Sequence, residues 1–475
     1  MHQTIKIERM AYSANAVGHL SCGKTVFVAG AAPGDIAEIE VVSEKPTYAQ
    51  GKLLRIVEAG PHRTCEHWAE PAAASVAPWQ HVVYDAQLKE KRNNIVHAIA
   101  TVGGLGQARA QEIVKPCIPS PEPWAFRNKV ELAGSWSKNN GFQLGFHEIA
   151  SNNVLPAKKC CVAHKEIEGA PKALAGALRF LQGAQDLGIF RVGVRHSKRT
   201  KQTEIALWTA PSAFPRAKAV QVLKSAVNPT SIVRVLASEG AARKVKKVEV
   251  LTGTGNWSEI LCGAKYTVSA PSFFQVNTAQ AETLISLVVK ALGGNAEIES
   301  VASSAQSNKM QPQKGNKRLK LKRNWQLSGL SGLKVADLYA GCGTFSVALA
   351  KAGASVVAVE AAKSSVRDLR RNARANDVNI EVVGGDAARE LQNLTNIDAL
   401  VVDPPRAGLA KSVPADITKP APKKVIYVSC NPATLARDIA RFRAVGYELQ
   451  LVQPVDMFPQ TYHVETVVLM SKVQN

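Results

Sequence analysis

The stretch LKVADLYAGCGTF, residues 333–345, decides the fold of the C-terminal part of this chain. A short apolar run ends at Tyr339, two glycines follow in a turn, and a helical pattern begins. The apolar runs ASVVAVE, IEVVGGD, IDALVVD and KKVIYVS repeat this arrangement further along, with helical patterns between the early ones. Such alternation is typical of a parallel, doubly wound α/β sheet that is covered on both faces. We expect two further strands, YELQLVQPVDMF and ETVVLMSK, to close this Rossmann-like sheet, the last of them antiparallel.

Ligands of such sheets bind at the carboxyl ends of the strands. Gly341 and Gly343 permit a tight turn there, but Ser346 stands where the dinucleotide fingerprint needs its last small residue. Glu360 ends the second strand at the spacing of an acid that binds ribose hydroxyls, and Asp386 ends the third near an expected adenine amino group. These positions favour an adenosine ligand without a diphosphate, namely S-adenosylmethionine (SAM). A Rossmann-like core that binds another ligand stays open as the alternative.

The next two strand ends carry groups suited to chemistry. In VVDPPRAGL, residues 401–409, two prolines fix the chain so that Asp403 and Arg406 are held in place. Methyltransferases that act on amino groups use a similar Asn/Asp-Pro-Pro-aromatic exit. The arginine in the fourth position, and the cysteine that follows in KVIYVSCNP, residues 424–432, argue against a nitrogen target.

A cysteine beside a methyl donor suits methylation of a pyrimidine at C5. That carbon becomes nucleophilic only after a thiolate adds to C6, and a base must later remove the C5 proton. Cys430 is the candidate nucleophile, and Glu465 in HVET, residues 463–466, is the candidate base. The alternatives are a buried structural thiol and a solvated carboxylate at a strand end.

The remaining sequence predicts two further domains. Residues 1–60 read as short strands broken by Gly and Pro, which indicates a small barrel of the OB type that binds RNA. Residues 61–265 form a mixed α+β pattern, and the sheet described above belongs to a third domain, 266–475. Within it, residues 295–328 are polar and basic, and we predict a flexible loop there.

Charge points to the partner. The chain of 475 residues has 59 Lys and Arg against 38 Asp and Glu, a net charge of +21, which favours nucleic acid first and an anionic membrane second. There is no apolar run of about 20 residues and no apolar leader, so we expect neither a membrane span nor a signal peptide. The eight scattered cysteines are typical of reduced thiols. We therefore expect a cytoplasmic, monomeric RNA-binding protein.

The motifs SFFQVN (272–277), DLYAGCGTF, VVDPPRAGL, VSCNP and HVET, taken in this order, resemble the SAM-dependent RNA (uracil-5-)-methyltransferase family over nearly the full length. The resemblance implies that Cys430 is the nucleophile and Glu465 the proton acceptor. It also implies that the N-terminal barrel is a TRAM domain, a module that binds RNA. The other residues implied are, for SAM, Gln275, Tyr339, Glu360, Asp403 and Asp386, and, for RNA, Arg127 and Lys129 in FRNKVE (126–131).

The chain departs from the family in its cysteines. Many relatives bind a [4Fe–4S] cluster through four thiolates, but here Cys65 lacks the Cys-Gly-Gly-Cys run and only Cys160 or Cys161 could join it. We therefore expect neither an iron–sulfur cluster nor a structural zinc ion.

Family members modify either ribosomal RNA or the T-loop of transfer RNA. The barrel and the three-domain length favour 23S ribosomal RNA. Two other functions stay open: cytosine-5 methylation, whose enzymes carry Pro-Cys motifs that are absent here, and a non-catalytic RNA-binding factor with a relict SAM fold.

Overall fold

The computed structural model describes residues 2–149, 151–238, 240, 244–300 and 323–473. Three main sheets follow one another along the chain, one closed into a barrel and two of seven strands each. None of the helices in the described ranges combines the length and the apolar character that a membrane span requires.

The N-terminal sheet is a closed five-stranded barrel in the order β1-β2-β3-β5-β4, which confirms the predicted barrel. Alternate residues of each strand point inward, so that Ile5, Ile7, Val26, Val28 and Ile39 fill the interior. Pairing of β1 with both β2 and β4 leaves no open edge on β1. The strands are β1 (His2–Met10), β2 (Asn15–His19), β3 (Thr25–Ala29), β4 (Ile36–Glu44) and β5 (Tyr48–Glu58).

Three helices follow the barrel: α1 (Ala73–Val76), α2 (Tyr84–Thr101) and α3 (Gln107–Ile113). The apolar side chains of α2 and α3 are buried with strands of the C-terminal sheet. Residues 84–113 fall within the range predicted for the central domain, yet they pack on the third sheet. An amphipathic pattern specifies that a helix buries one face, but it does not specify the partner.

The central sheet has seven strands in the order β12-β11-β10-β9-β6-β7-β8. Helices α5 and α6 cover one face of it through Leu174, Leu178 and Leu223. The elements are β6 (Lys129–Ser137), β7 (Gly141–His147), β8 (Val154–Pro156), α4 (Lys165–Glu168), α5 (Ala170–Gln182), β9 (Ile189–His196), β10 (Thr203–Thr209), α6 (Arg216–Val227), β11 (Ser231–Ala237) and β12 (Val245–Thr252).

Two hairpins and a helix lead to the third sheet: β13 (Asn256–Leu261), β14 (Ala264–Ser269), α7 (Thr278–Leu292), β15 (Asn295–Ser300) and β16 (Arg323–Ser328). The prediction of a flexible loop over 295–328 is wrong at both ends, because β15 and β16 pair in an antiparallel ladder. Its composition is polar, but Ala296, Trp325 and Leu327 recur on one side of the hairpin and pack against the core. Residues 301–322 lie outside the described residues.

The C-terminal sheet has the order β19-β18-β17-β20-β21-β23-β22, and β23 is antiparallel to both of its neighbours. This confirms the predicted doubly wound sheet and its antiparallel last strand. The strand order reverses between β17 and β20, where a ligand crevice is expected. The elements are β17 (Lys334–Leu338), α8 (Thr344–Lys351), β18 (Ser355–Glu360), α9 (Lys363–Ala375), β19 (Ile380–Gly384), α10 (Ala387–Leu391), β20 (Ala399–Val402), α11 (Val413–Asp416), β21 (Lys424–Ser429), α12 (Pro432–Arg443), β22 (Tyr447–Val455) and β23 (Glu465–Lys472).

Candidate active site

The turn after β17 and the end of β18 are joined by hydrogen bonds. Gly341 has a φ of 58°, and its amide donates to Oε2 of Glu360 over 2.9 Å. The amide of Ala362 donates to Oε1 over 2.7 Å. An ionised carboxylate can accept about four hydrogen bonds, so Glu360 is fixed in orientation and retains acceptor capacity. The carboxylate therefore lies at the crevice, at the position that the sequence predicted.

Tyr339 adopts a strained backbone conformation at the exit of β17, with a φ of 63°. A bulky residue in the left-handed region costs roughly 1–3 kcal/mol, and such residues cluster at functional sites. Burial raises the pKa of its phenol, and the negative charge of Asp386 adds to this effect. Asp386 is also the N-cap of α10, and its Oδ1 accepts from the amide of Ala388 over 3.0 Å.

Gln275 is buried, and its backbone carbonyl accepts from Nδ2 of Asn128 over 3.0 Å. Its side-chain Oε1 is buried but has no hydrogen-bond partner among the described residues. Such an orphan oxygen costs about 1–3 kcal/mol, so its presence points to a ligand that supplies a donor.

Two carboxylates stand at the ends of β20 and β23, the strands on either side of β21. Asp403 follows β20, and Glu465 begins β23 with 4% of its surface exposed. Burial and the charge of Asp403 raise the pKa of Glu465, against a smaller opposite effect of Arg406. Burial and the charge of Asp337 raise the pKa of Asp403. A raised pKa makes the ionised carboxylate a stronger base, which suits a group that must accept a proton.

Cys430 and Glu465 lie at the ends of two paired strands. Cys430 directly follows β21, whose last residue Ser429 pairs with Thr466, and Thr466 is the neighbour of Glu465 on β23. Burial and the charge of Glu465 raise the pKa of the thiol to about 12, while Arg406 lowers it. The resting site therefore holds a protonated thiol.

The Asn-Pro pair behind Cys430 begins helix α12. Oδ1 of Asn431 accepts from the amide of Ala433 over 3.0 Å, and Nδ2 donates to the carbonyl of Arg406 over 3.2 Å. Pro432 occupies the first helical turn, where its missing N–H costs nothing. The positive end of the α12 dipole thus lies two residues from the sulfur, an arrangement that favours a thiolate when one forms.

The side chains of His463 and Arg406 form a further pair, for which the sequence analysis predicted no role. Burial and the charge of Arg406 lower the pKa of His463 to about 3, so the imidazole is neutral. Nη2 of Arg406 lies 3.2 Å from its Nε2, and a neutral ring accepts there. The imidazole holds the guanidinium in the neighbourhood of Cys430. The HVET motif contains His463, but nothing in the sequence shows which cation it faces.

A cleft of about 300 Å³ opens beside this pair. The predicted RNA-contacting residues Arg127 and Lys129 line it together with Arg406, Tyr462 and His463. Nε of Arg127 is buried without a partner among the described residues. Burial and the charge of Arg195 lower the pKa of Lys129 to about 8, although Glu131 pairs with it at 3.1 Å. The cleft thus lies between residues of the central domain and Arg406, which follows β20, and basic side chains line both sides.

The cysteines considered as ligands of an iron–sulfur cluster differ in their exposure to solvent. Cys65 is exposed, whereas Cys160 and Cys161 are buried in the core of the central sheet. Within the described ranges, no three His, Cys, Asp or Glu side chains are grouped so that they could hold a metal ion. The expectation that the protein has no cluster stays a prediction.

Comparison with known proteins gives two sequence matches to domain families. Residues 307–473 match the family described as tRNA (Uracil-5-)-methyltransferase, and residues 2–54 match the TRAM domain. A protein of Gloeobacter violaceus named as an uncharacterized RNA methyltransferase is 30% identical over 99% of this chain and 96% of its own length. A protein of Thermosynechococcus vestitus with the same description is 28% identical, over 98% of this chain and 97% of its own.

One solved structure has the same fold throughout. It is the Pyrococcus abyssi tRNA (uracil-54, C5)-methyltransferase in complex with S-adenosyl-L-homocysteine, with a TM-score of 0.70 and 23% identity. The superposition covers 99% of this chain and 100% of that one.

Proposed function

The chain belongs to the SAM-dependent RNA (uracil-5-)-methyltransferase family, and on that premise we propose that it methylates C5 of a uridine in RNA through a covalent adduct between Cys430 and C6. The observation that carries the proposal is that β21 and β23 are paired neighbours, so that Cys430, directly after β21, and Glu465, at the start of β23, stand at the same edge of the sheet. A nucleophile and a base must act on adjacent ring atoms, and these neighbouring strand ends supply both groups there.

The residues predicted to bind SAM suit the methyl donor chemically. The orphan Oε1 of Gln275 calls for a donor group, and Glu360 retains acceptor capacity of the kind that ribose hydroxyls satisfy. Tyr339, Asp386 and Asp403 complete the set at the ends of the neighbouring strands. SAM bound here would supply an electrophilic methyl group.

The first step requires a thiolate at Cys430. The sulfur loses its proton to solvent, and the Arg406 guanidinium and the N-terminus of α12 favour the charge that forms. The thiolate then adds to C6 of the uracil, and the electrons of the C5–C6 double bond become an enolate. C5 is then nucleophilic enough to accept the methyl group.

The second step restores the aromatic ring. C5 now carries both the methyl group and its original proton, and the Glu465 carboxylate removes that proton. The electron pair re-forms the C5–C6 double bond as the bond between Sγ and C6 breaks, which releases 5-methyluridine and the free enzyme. Burial and the charge of Asp403 raise the pKa of Glu465 above its usual range, which makes its carboxylate a stronger base.

The basic cleft supports an RNA substrate. A uridine in folded RNA is stacked or paired, so it has to be turned out to reach Cys430. Arg127 and Lys129 are suited to hold its phosphates, because they line the same cleft as Arg406 and His463. The net charge of +21 favours RNA over a neutral small molecule.

We propose ribosomal RNA as the target, on the argument that a TRAM barrel and a central domain provide a long RNA-binding surface. Transfer RNA is the second candidate, and two observations favour it. The matching family is described by its action on tRNA, and the Pyrococcus abyssi enzyme, named for tRNA, has this same fold.

The test is transfer of labelled methyl from SAM to separate pools of unmodified ribosomal and transfer RNA, followed by nucleoside mass spectrometry and mapping. Appearance of 5-methyluridine in one pool identifies the target, and 5-methylcytidine would refute the uracil assignment. The variant Cys430→Ala is the control. It should bind RNA without transferring methyl, whereas undiminished transfer would exclude the covalent mechanism.

A further inference from the structure

A side chain of the N-terminal barrel reaches the candidate nucleophile. Tyr12 lies between β1 and β2, and its hydroxyl donates a hydrogen bond of 2.7 Å to the backbone carbonyl of Cys430. The two residues are 418 positions apart in the chain. This contact lies between the barrel and the catalytic strand end, and the methyl-transfer steps above do not use it.

The loop that carries Tyr12 is anchored on both sides. The amide of Met10 donates to Oε2 of Glu90 on α2 over 2.9 Å. The carbonyl of Ser13 accepts from Nε1 of the buried Trp79 over 2.9 Å. The amide of Trp79 in turn donates to the carbonyl of Gln460, which lies with His463 in the loop between β22 and β23. The loop is therefore fixed to the segment that forms one wall of the cleft.

The ring of Tyr12 packs on that same wall. Its centroid lies 5.5 Å from that of Tyr462 in an edge-on arrangement and 6.3 Å from that of His463. Tyr462 and His463 are themselves 4.2 Å apart. Aromatic pairs of this geometry contribute beyond their buried area, so the barrel residue is part of the cleft wall.

The hydroxyl of Tyr12 binds a carbonyl that takes no part in the backbone hydrogen bonds of helix α12. Helix α12 begins at Pro432, and its first backbone acceptor is the carbonyl of Asn431, which binds the amide of Leu435. The carbonyl of Cys430 lies just outside this ladder, so the Tyr12 hydroxyl fixes the peptide plane that carries the nucleophile. Burial and the charges of Cys430 and Glu465 raise the pKa of the phenol, which therefore remains a donor throughout the working pH range.

We propose that Tyr12 is a positioning residue for Cys430, so that the N-terminal barrel completes the active site in addition to binding RNA. This inference rests on the proposed function, in which Cys430 attacks C6. Its physical basis is pre-organisation: a nucleophile held in the attacking orientation need not be ordered again in each turnover.

The test is Tyr12→Phe, which removes the hydroxyl and keeps the ring packing. Loss of one neutral hydrogen bond should lower kcat by roughly threefold to tenfold, with the KM for RNA and for SAM unchanged. The attack step is isolated with RNA that contains 5-fluorouridine, because C5 then has no proton to lose and the reaction stops at the adduct. The rate of adduct formation should fall by the same factor as kcat. Tyr48→Phe, at a barrel tyrosine packed on Phe27 at 5.8 Å, is the matched control and should leave both rates unchanged.

Two results would overturn the proposal. An unchanged rate of adduct formation in Tyr12→Phe would show that the hydroxyl does not orient the sulfur. A parallel fall of RNA affinity, melting temperature and kcat would show a purely structural role. Failure of the proposed function is distinguished by the wild-type enzyme, which in that case forms no adduct with the fluorinated RNA.

Discussion

Replacement of Glu465 by glutamine separates the two chemical steps. The amide keeps the size of the side chain but cannot accept the C5 proton, whereas attack by Cys430 and methyl transfer remain possible. The variant Glu465→Gln should therefore accumulate a methylated covalent adduct between protein and RNA. Loss of a general base typically slows the step that it serves by about 10²–10⁴-fold.

The structure also sets the pH dependence. Because burial and the charge of Asp403 raise the pKa of Glu465, this carboxyl stays protonated to a higher pH than an ordinary glutamate and ionises as the pH rises through the raised pKa. Release of 5-methyluridine by the wild-type enzyme should therefore increase as the pH is raised from neutral. In the variant the contribution of Glu465 to this increase should disappear, because an amide does not titrate, whereas adduct formation should still increase with pH as Cys430 loses its proton.

The assay is single-turnover reaction with labelled RNA, followed by denaturing gel electrophoresis to count adduct and by mass spectrometry to count released 5-methyluridine. The control is Glu204→Gln on β10 of the central sheet, where burial raises the pKa of another buried carboxyl to about 7. That variant should release product at the wild-type rate. Rapid turnover by Glu465→Gln without an adduct would refute the assignment of the base.

Three other outcomes are expected. Cys430→Ala should lower methyl transfer by several orders of magnitude while RNA affinity stays within about twofold, as measured by filter binding; comparable losses of both would contradict a purely chemical role. Arg127→Ala and Lys129→Ala should each reduce the slope of log affinity against log salt by about one, and an unchanged slope would exclude phosphate contact. Lys91→Met should lower the free energy of unfolding by about 3–5 kcal/mol. The fully buried Nζ of Lys91 lies 2.5 Å from Oδ1 of the fully buried Asp456, and the substitution would leave that carboxylate without its counter-ion. The control is Lys89→Met, at an exposed lysine of the same helix, with stability measured by urea denaturation. Equal urea midpoints of unfolding for the two variants would contradict this prediction.

The elements that follow from local patterns were predictable. Apolar runs between helices gave the doubly wound sheet, and short strands between Gly and Pro gave the barrel. The arms of the hairpin around 301–322 were missed, because their polar composition outweighed a weak alternation of period two. Composition describes how soluble a segment is, whereas pairing depends on which side chains share a face.

The candidate site was predictable only as a set of strand ends. The carboxyl ends of parallel strands meet at one edge of a sheet, so Tyr339, Glu360, Asp403 and Cys430 could be grouped from sequence. The placement of Cys430 and Glu465 at adjacent strand ends required the pairing of β21 with β23, which no local pattern specifies.

Local sequence patterns specified the types of element, the chemical groups at the strand ends and the basic character of the chain. Three-dimensional packing was needed to show that α2 packs on the third sheet, that His463 faces Arg406 and that Tyr12 reaches Cys430. The physical reason is range: secondary structure and turns follow from neighbouring residues, whereas these contacts join segments between 57 and 418 positions apart. Contacts of that kind depend on how whole elements bury their apolar faces together, and a single sequence does not record the partners.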